Sequence, residues 1–127
     1  MDPIADFLIA IKNAGLAGKP SVSVPYSEIK FQIASLLATK GFVGAVSKKG
    51  KKAKSLEVEI AYEAGAPRVS DVKRISKPSR RLYEGAKEIK PWKQDVGMRV
   101  FSTPKGILAD MDARKEKVGG EILFSIW

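Results

Sequence analysis

The apolar spacing of this chain predicts an α+β protein, and three observations carry that expectation. Two N-terminal stretches repeat apolar residues at helical spacing, later segments alternate them residue by residue, and turn-forming residues separate the two kinds of segment. A run of small residues and proline, Ala64-Gly65-Ala66-Pro67, divides the chain into two expected lobes, residues 1–65 and 66–127. With 127 residues, 44% of them hydrophobic, the chain suits one compact domain or two small lobes with packed cores.

Asp2-Pro3 opens the first helix, with a carboxylate as capping acceptor and a proline where its missing N–H costs nothing. Ile4, Leu8 and Ile11 follow at helical spacing beside Phe7, and Gly15 is the expected left-handed stop. Ser21–Val24 reads as a short strand ended by Pro25. Ser27 caps a second helix whose apolar face is Ile29, Ile33, Leu36 and Leu37, and Gly41 closes it. Both apolar stripes read as core. Phe42–Val46 is strand-like, and Leu56, Val58 and Ile60 alternate with Glu57 and Glu59 as a half-buried strand. Between these strands, Lys48-Lys49-Gly50-Lys51-Lys52-Ala53-Lys54 forms a hairpin tip, either a solvated loop or a phosphate-gripping finger.

In the second half, Val72–Ile75 looks extended and Lys77-Pro78-Ser79 is a turn leading into Arg80-Arg81-Leu82-Tyr83. Ala86–Lys93 stays ambiguous, because Pro91 opposes a long helix. Met98, Val100 and Ser102 alternate with Arg99 and Phe101 as a strand. Asp110 is the expected cap of a short helix running through Lys117 and ended by Gly119-Gly120. Glu121–Trp127 forms the last strand, with Ile122, Phe124 and Ile126 on one face.

Lysine and arginine number 23 against 14 acids, a net charge of +9. That excess repels itself in a folded chain, and a polyanionic partner is the usual offset. Nucleic acid comes first and an anionic membrane surface second. No apolar run approaches the roughly 20 residues of a spanning helix, and the N-terminus lacks a signal-peptide pattern, so the expectation is a cytoplasmic protein without a membrane partner. Cysteine and histidine are both absent. No disulfide forms, the usual zinc and copper ligands are missing, and so are the commonest general base and the best thiol nucleophile. Only oxygen-ligated metals remain possible, and enzyme chemistry would have to rest on carboxylates, lysines or hydroxyls, so no metal, cofactor or enzymatic activity is expected. Asp110 and Asp112 do not make a catalytic pair, because helix positions two apart point to different faces.

Residues 1–65 carry nine lysines, no arginine and six acids, net +3, whereas residues 66–127 carry eight lysines, six arginines and eight acids, net +6. Arginine contacts phosphate bidentately and stacks on bases, so if one lobe reads RNA shape while the other supports it, the second lobe is the expected reader. There, Ser102-Thr103-Pro104-Lys105-Gly106 holds hydroxyls, a cation and a glycine. It is either an ordinary turn or a loop that hydrogen-bonds sugar, phosphate or a splayed base. It lacks the glycine four residues before Gly-Lys-Ser/Thr that a nucleotide hydrolase needs. Glu121 either pairs with a nearby arginine, or accepts from a base edge or orients a binding lysine. Arg80, Arg81 and Tyr83 suit phosphate and stacking, although a tyrosine in this setting is more often half-buried core. Lys30 and Lys52 complete the candidate RNA-binding set. Antiparallel pairing of the strand ending at Ser102 with the last strand would bring the loop beside Glu121.

Three ordered motifs carry a resemblance spanning essentially the whole chain. Asp2-Pro3-Ile4-Ala5-Asp6, then Ile75-Ser76-Lys77-Pro78-Ser79-Arg80-Arg81-Leu82-Tyr83, then Ser102-Thr103-Pro104-Lys105-Gly106-Ile107-Leu108 with Asp110, Ala113-Arg114 and Gly119-Gly120-Glu121-Ile122 resemble small-subunit ribosomal protein eight. The resemblance implies an N-terminal lobe of a sheet with two helices and a C-terminal, mostly antiparallel β lobe with a short helix. It implies direct binding to the central domain of small-subunit ribosomal RNA during assembly, contact with neighbouring ribosomal proteins, and repression of the operon's own messenger. It assigns RNA contacts to Ser102, Thr103, Lys105, Gly106 and Glu121. Two positions depart from the family pattern. Pro104 replaces a serine, losing a hydroxyl while stiffening the turn, and Ala109 replaces a threonine, leaving Asp110 as the cap. The alternatives are a non-ribosomal RNA-binding translational regulator, which would act as a free protein, and a small enzyme, which would need a pocket with perturbed carboxylates.

Overall fold

A computed structural model describes residues 2–90 and 97–127. The elements, in order, are α1 (Pro3–Leu16), β1 (Ser21–Pro25), α2 (Glu28–Thr39), β2 (Val43–Lys49), β3 (Ser55–Ile60), β4 (Tyr62–Glu63) and β5 (Ala66–Pro67), followed by β6 (Val72–Arg74), β7 (Tyr83–Glu84), β8 (Met98–Thr103), β9 (Gly106–Ala109), α3 (Asp110–Lys115) and β10 (Gly120–Ile126). Helices and antiparallel sheets make this an α+β fold. The chain divides into two compact units, Pro3–Ser70 and Asp71–Trp127, the second joined by Asp2. Pro91 and the end of the ambiguous stretch 86–93 lie outside the described residues.

In the first unit, β1 and β2 flank β3 in an antiparallel sheet. Leu56, Val58 and Ile60 of β3 are buried with Phe7, Leu8 and Ile11 of α1 and Ile33 and Leu37 of α2. Each such side chain contributes roughly 1.5–3 kcal/mol by leaving water. The apolar face of α2 differs from expectation: Ala34 is fully buried while Ile29 is 38% exposed. Ser27 caps α2, its hydroxyl accepting from the Lys30 N–H at 3.3 Å. Gly41, at φ +82°, lets Phe42 N–H reach the Leu37 carbonyl at 2.8 Å and so ends the helix. Gly15 is not the stop of α1. The helix passes through it to Leu16, and Gly18 at φ +70° takes the left-handed position. Gly15 is instead buried against Pro67, where even a methyl group would lie 3.0 Å from the proline Cβ.

The Ala64-Gly65 stretch is a tight hairpin between β4 and β5. Both residues have positive φ, 52° and 82°, as such a two-residue turn demands. Part of the basic run belongs to the strand rather than to the hairpin tip, because β2 extends to Lys49 and pairs Lys48 with Leu56 and Lys49 with Ser55.

In the second unit the strand order is β6-β10-β8-β9, with β7 also pairing with β10. β10 is central, and its residues Ile122 through Ile126 are all buried, so it is covered on both faces rather than on one. A register shift between Ile122 and Phe124 breaks the simple alternation there. Phe101 likewise points into a core, shared with Ile89, Ala113 and Ile122. Ala109 occupies the N-cap position of α3 without a side-chain bond. Asp110, the expected cap, is the first helical residue, is buried, and accepts from Met111 N–H at 2.9 Å. Nor do Gly119 and Gly120 end α3. Lys117 turns left-handed at φ +59°, and Val118 N–H closes on the Ala113 carbonyl at 3.0 Å.

Candidate nucleic-acid interface

The Ser102–Gly106 segment is the tip of a hairpin. β8 and β9 pair Ser102 with Ile107 and Thr103 with Gly106, leaving Pro104 and Lys105 as the turn. Three local constraints set its shape. Proline holds φ near −65° at the first turn position, and Gly106 leaves the turn at φ +111°. The Thr103 hydroxyl donates to the Gly106 carbonyl at 2.8 Å and accepts from Lys105 N–H at 3.1 Å. That hydroxyl therefore staples the loop. Pro104 and Lys105 are exposed, and the Lys105 ammonium lies 3.2 Å from Glu116. Both partners are more than half exposed, so this ion pair contributes little stability and leaves the lysine free to exchange partners.

Antiparallel pairing of β8 with β10 sets Ser102 directly opposite Glu121, and pairing of β7 with β10 sets Tyr83 opposite Glu121 on the other side. Directly opposed residues share one face of a sheet. Ser102, Glu121 and Tyr83 thus form a row, with the tyrosine 67% exposed rather than packed into the core. The glycines explain how the row closes. A methyl group on Gly120 would lie 2.0 Å from the Ser102 carbonyl oxygen, and one on Gly119 would lie 2.3 Å from that of Glu84. Only bare backbone fits between the neighbouring strands.

Glu121 is 13% exposed and already has partners. Its Oε2 accepts from the Ser76 hydroxyl at 2.5 Å, and Arg81 Nη1 lies 3.2 Å from Oε2 and 3.3 Å from Oε1. Of the two readings of this glutamate, pairing with an arginine is what the geometry contains. Arg80 and Arg81 are exposed, on a turn whose base is the double backbone bond between Lys77 and Arg80. Arg99 pairs with Glu84 through its two terminal guanidinium nitrogens at 3.1 and 3.3 Å, and Arg74 holds Asp2 at 3.0 Å. These two arginines are 14% and 11% exposed and serve the fold.

Lys30 and Lys52 belong to the first unit. The Lys30 ammonium donates to the Pro25 carbonyl at 2.7 Å, whereas Lys52 is exposed on the hairpin tip. Lys48 stands 4.8 Å from the ring centre of Tyr26 and 5.1 Å from that of Phe31, and Lys49 pairs with Glu57 at 3.1 Å. The Tyr26 phenol donates to Glu28 at 2.7 Å, and with Gln32 and Lys48 it holds that carboxyl below the usual glutamate value. No cluster of three potential metal-ligating side chains occurs among the described residues, and no helix there is long and apolar enough to cross a membrane.

Sequence reasoning passed over β9 and Ser76. The short apolar run Ile107-Leu108-Ala109 immediately after a Pro-Lys-Gly turn was a usable hairpin signal. Ser76 offered none, since its importance comes from Glu121, 45 residues away.

Comparison with known proteins agrees with the resemblance. Small ribosomal subunit protein uS8 of Dechloromonas aromatica is 46% identical over 124 residues, covering 96% of this chain and 94% of the relative. The protein of the same name from Persephonella marina is 44% identical, covering 99% of this chain and 98% of the relative. That of Ruegeria pomeroyi is 39% identical, again with 99% and 98% coverage. The family model described as Ribosomal protein S8 matches residues 2–127, and the chain belongs to that family.

Proposed function

We propose that this chain is a structural constituent of the small ribosomal subunit that binds directly to the central domain of small-subunit ribosomal RNA and helps that RNA fold. The observation that carries the proposal is the match of residues 2–127 to a ribosomal protein family. Such a protein is not an enzyme. It works in the cytoplasm, within the subunit, against ribosomal RNA and neighbouring ribosomal proteins. The arrangement supports a division of labour. Exposed lysines and arginines neutralise phosphates and release counterions, which yields affinity without sequence information. The stapled hairpin tip and the Tyr83–Glu121–Ser102 row present fixed donors, acceptors and an aromatic plane, which suit unstacked bases in an irregular helix rather than a regular A-form groove. A messenger from its own operon that presents the same shape would engage the same surface, and that is part of the proposal.

A salt titration tests it. Affinity for a transcript of the central domain should fall steeply between about 50 and 200 mM salt, with a log–log slope of about −0.7 to −0.9 per phosphate contact. It should exceed affinity for an unrelated structured RNA at every concentration. Equal affinity for both transcripts would refute central-domain recognition. In a cell lysate the protein should sediment with small subunits, and a free, slowly sedimenting protein would favour a non-ribosomal regulator.

A further inference from the structure

Ser76 has no exposed surface, yet its hydroxyl is hydrogen-bonded both as donor and as acceptor. It donates to Glu121 Oε2 at 2.5 Å and accepts from Leu82 N–H at 3.1 Å. The backbone closes around the same point. Ser76 N–H donates to the Ile122 carbonyl at 3.0 Å, and Ile122 N–H donates to the Leu82 carbonyl at 2.9 Å. Residues 77–81 therefore run out and back from a neck formed by Ser76, Leu82 and Ile122. Every residue of that excursion is exposed, and three of the five, Lys77, Arg80 and Arg81, are cations. Glu121 reaches from the neck to the finger, taking the Ser76 hydroxyl on one oxygen and lying within 3.3 Å of Arg81 on both.

We propose that Ser76 is the positioning residue of this basic finger: its hydroxyl latches the neck at Leu82 and orients the carboxylate that holds Arg81. A hydroxyl has one hydrogen. Once that hydrogen is committed to Glu121, a lone pair remains for the Leu82 amide, so the two bonds fix each other. The Arg81 pair alone is too weak to do this, because the arginine side chain is 55% exposed and water competes for it. Ser76 itself is buried away from any ligand and acts through Glu121 and the finger. The inference rests on the RNA-binding reading above and assigns to it a residue that carries no charge and touches no RNA.

The test is a double-mutant cycle in the intact chain, with Ser76→Ala, Glu121→Gln and the double variant. The probes are a transcript of the central domain of small-subunit ribosomal RNA and an unrelated structured RNA of equal length. Ser76→Ala should weaken binding to the first about tenfold, equivalent to about 1.4 kcal/mol, with at most a twofold change on the second. The double variant should bind no more weakly than the weaker single variant. Multiplying losses, or an equal loss on both RNAs, overturn the proposal. Amide exchange in the unmutated protein guards against a variant that does not fold. The Leu82 N–H should exchange slowly, and exchange as fast as that of Ser79 in the turn overturns the latch. If the unmutated protein prefers neither RNA, the functional reading fails, and Leu82 exchange still decides whether the latch exists.

Discussion

Thr103→Val keeps the side-chain shape and the β-branched preference for a strand while deleting the hydroxyl that staples the hairpin tip. The structure provides a magnitude. Two hydrogen bonds disappear, one to the Gly106 carbonyl at 2.8 Å and one from Lys105 N–H at 3.1 Å. Each is worth about 0.5–1.5 kcal/mol net. Thr103 is half-buried, so water replaces part of the loss, and about 1–2 kcal/mol remains. Pro104 and Gly106 still bias the turn, so the tip loosens without refolding. For a chain of this size the melting temperature should fall by roughly 4 °C per kcal/mol. Affinity for the central-domain transcript should fall about 5- to 30-fold, because the loop must be ordered again on binding. Thr103→Ser, which keeps the hydroxyl, should restore most of both. Thermal melting with filter binding separates the alternatives. A hydroxyl that only touches RNA would lower affinity at unchanged melting temperature, and a purely electrostatic surface would change neither, since no charge is altered. A Thr103→Val protein that melts with the parent refutes the staple.

Gly120→Ala should be far more damaging than Gly18→Ala. The first puts a methyl group 2.0 Å from a strand backbone and forces β8 and β10 apart, whereas the second meets open space and has only its positive φ to oppose it. We expect a loss of about 3 kcal/mol or more against about 1 kcal/mol in denaturant melts, and equal losses would show that the strands do not approach so closely. The lysines of the basic hairpin should separate into two classes. Lys51→Gln with Lys52→Gln should weaken all RNAs alike and flatten the salt slope, while Lys48→Gln should also cost about 0.5–1 kcal/mol of stability through the lost contacts with Tyr26 and Phe31. Identical behaviour in both assays would place Lys48 with the exposed lysines of the hairpin tip.

Much of the first unit was legible because its determinants are local. Ser27 and Gly41 bracket α2 within its own hydrogen-bonding turns, and the alternation of Leu56, Val58 and Ile60 marks β3 without reference to a partner. The errors fall where a distant segment intervenes. Gly15 stays within the helix and packs against Pro67, and Ile29 was counted as core although it is 38% exposed. In the second unit, the alternation of Met98, Val100 and Ser102 with Arg99 and Phe101 marked a strand without telling that Phe101 is buried as well as Met98 and Val100. β8 and β10 are covered on both. Of the candidate site, the loop and Glu121 were readable as residue types, and their approach followed once antiparallel pairing was assumed.

By itself the sequence determined the charge excess of +9, the absence of cysteine and histidine, the two N-terminal helices and the turn chemistry of Pro104-Lys105-Gly106. These are sums over residues, or interactions spanning a few positions. Tertiary structure alone decided that Gly119 and Gly120 are spacers between strands rather than a helix stop, that Asp2 meets Arg74, and that Ser76 meets Glu121. Strand register is the physical reason. A one-residue slip of β10 would turn Glu121 to the opposite face and dissolve the row with Ser102 and Tyr83, although the local preferences of every residue would be unchanged.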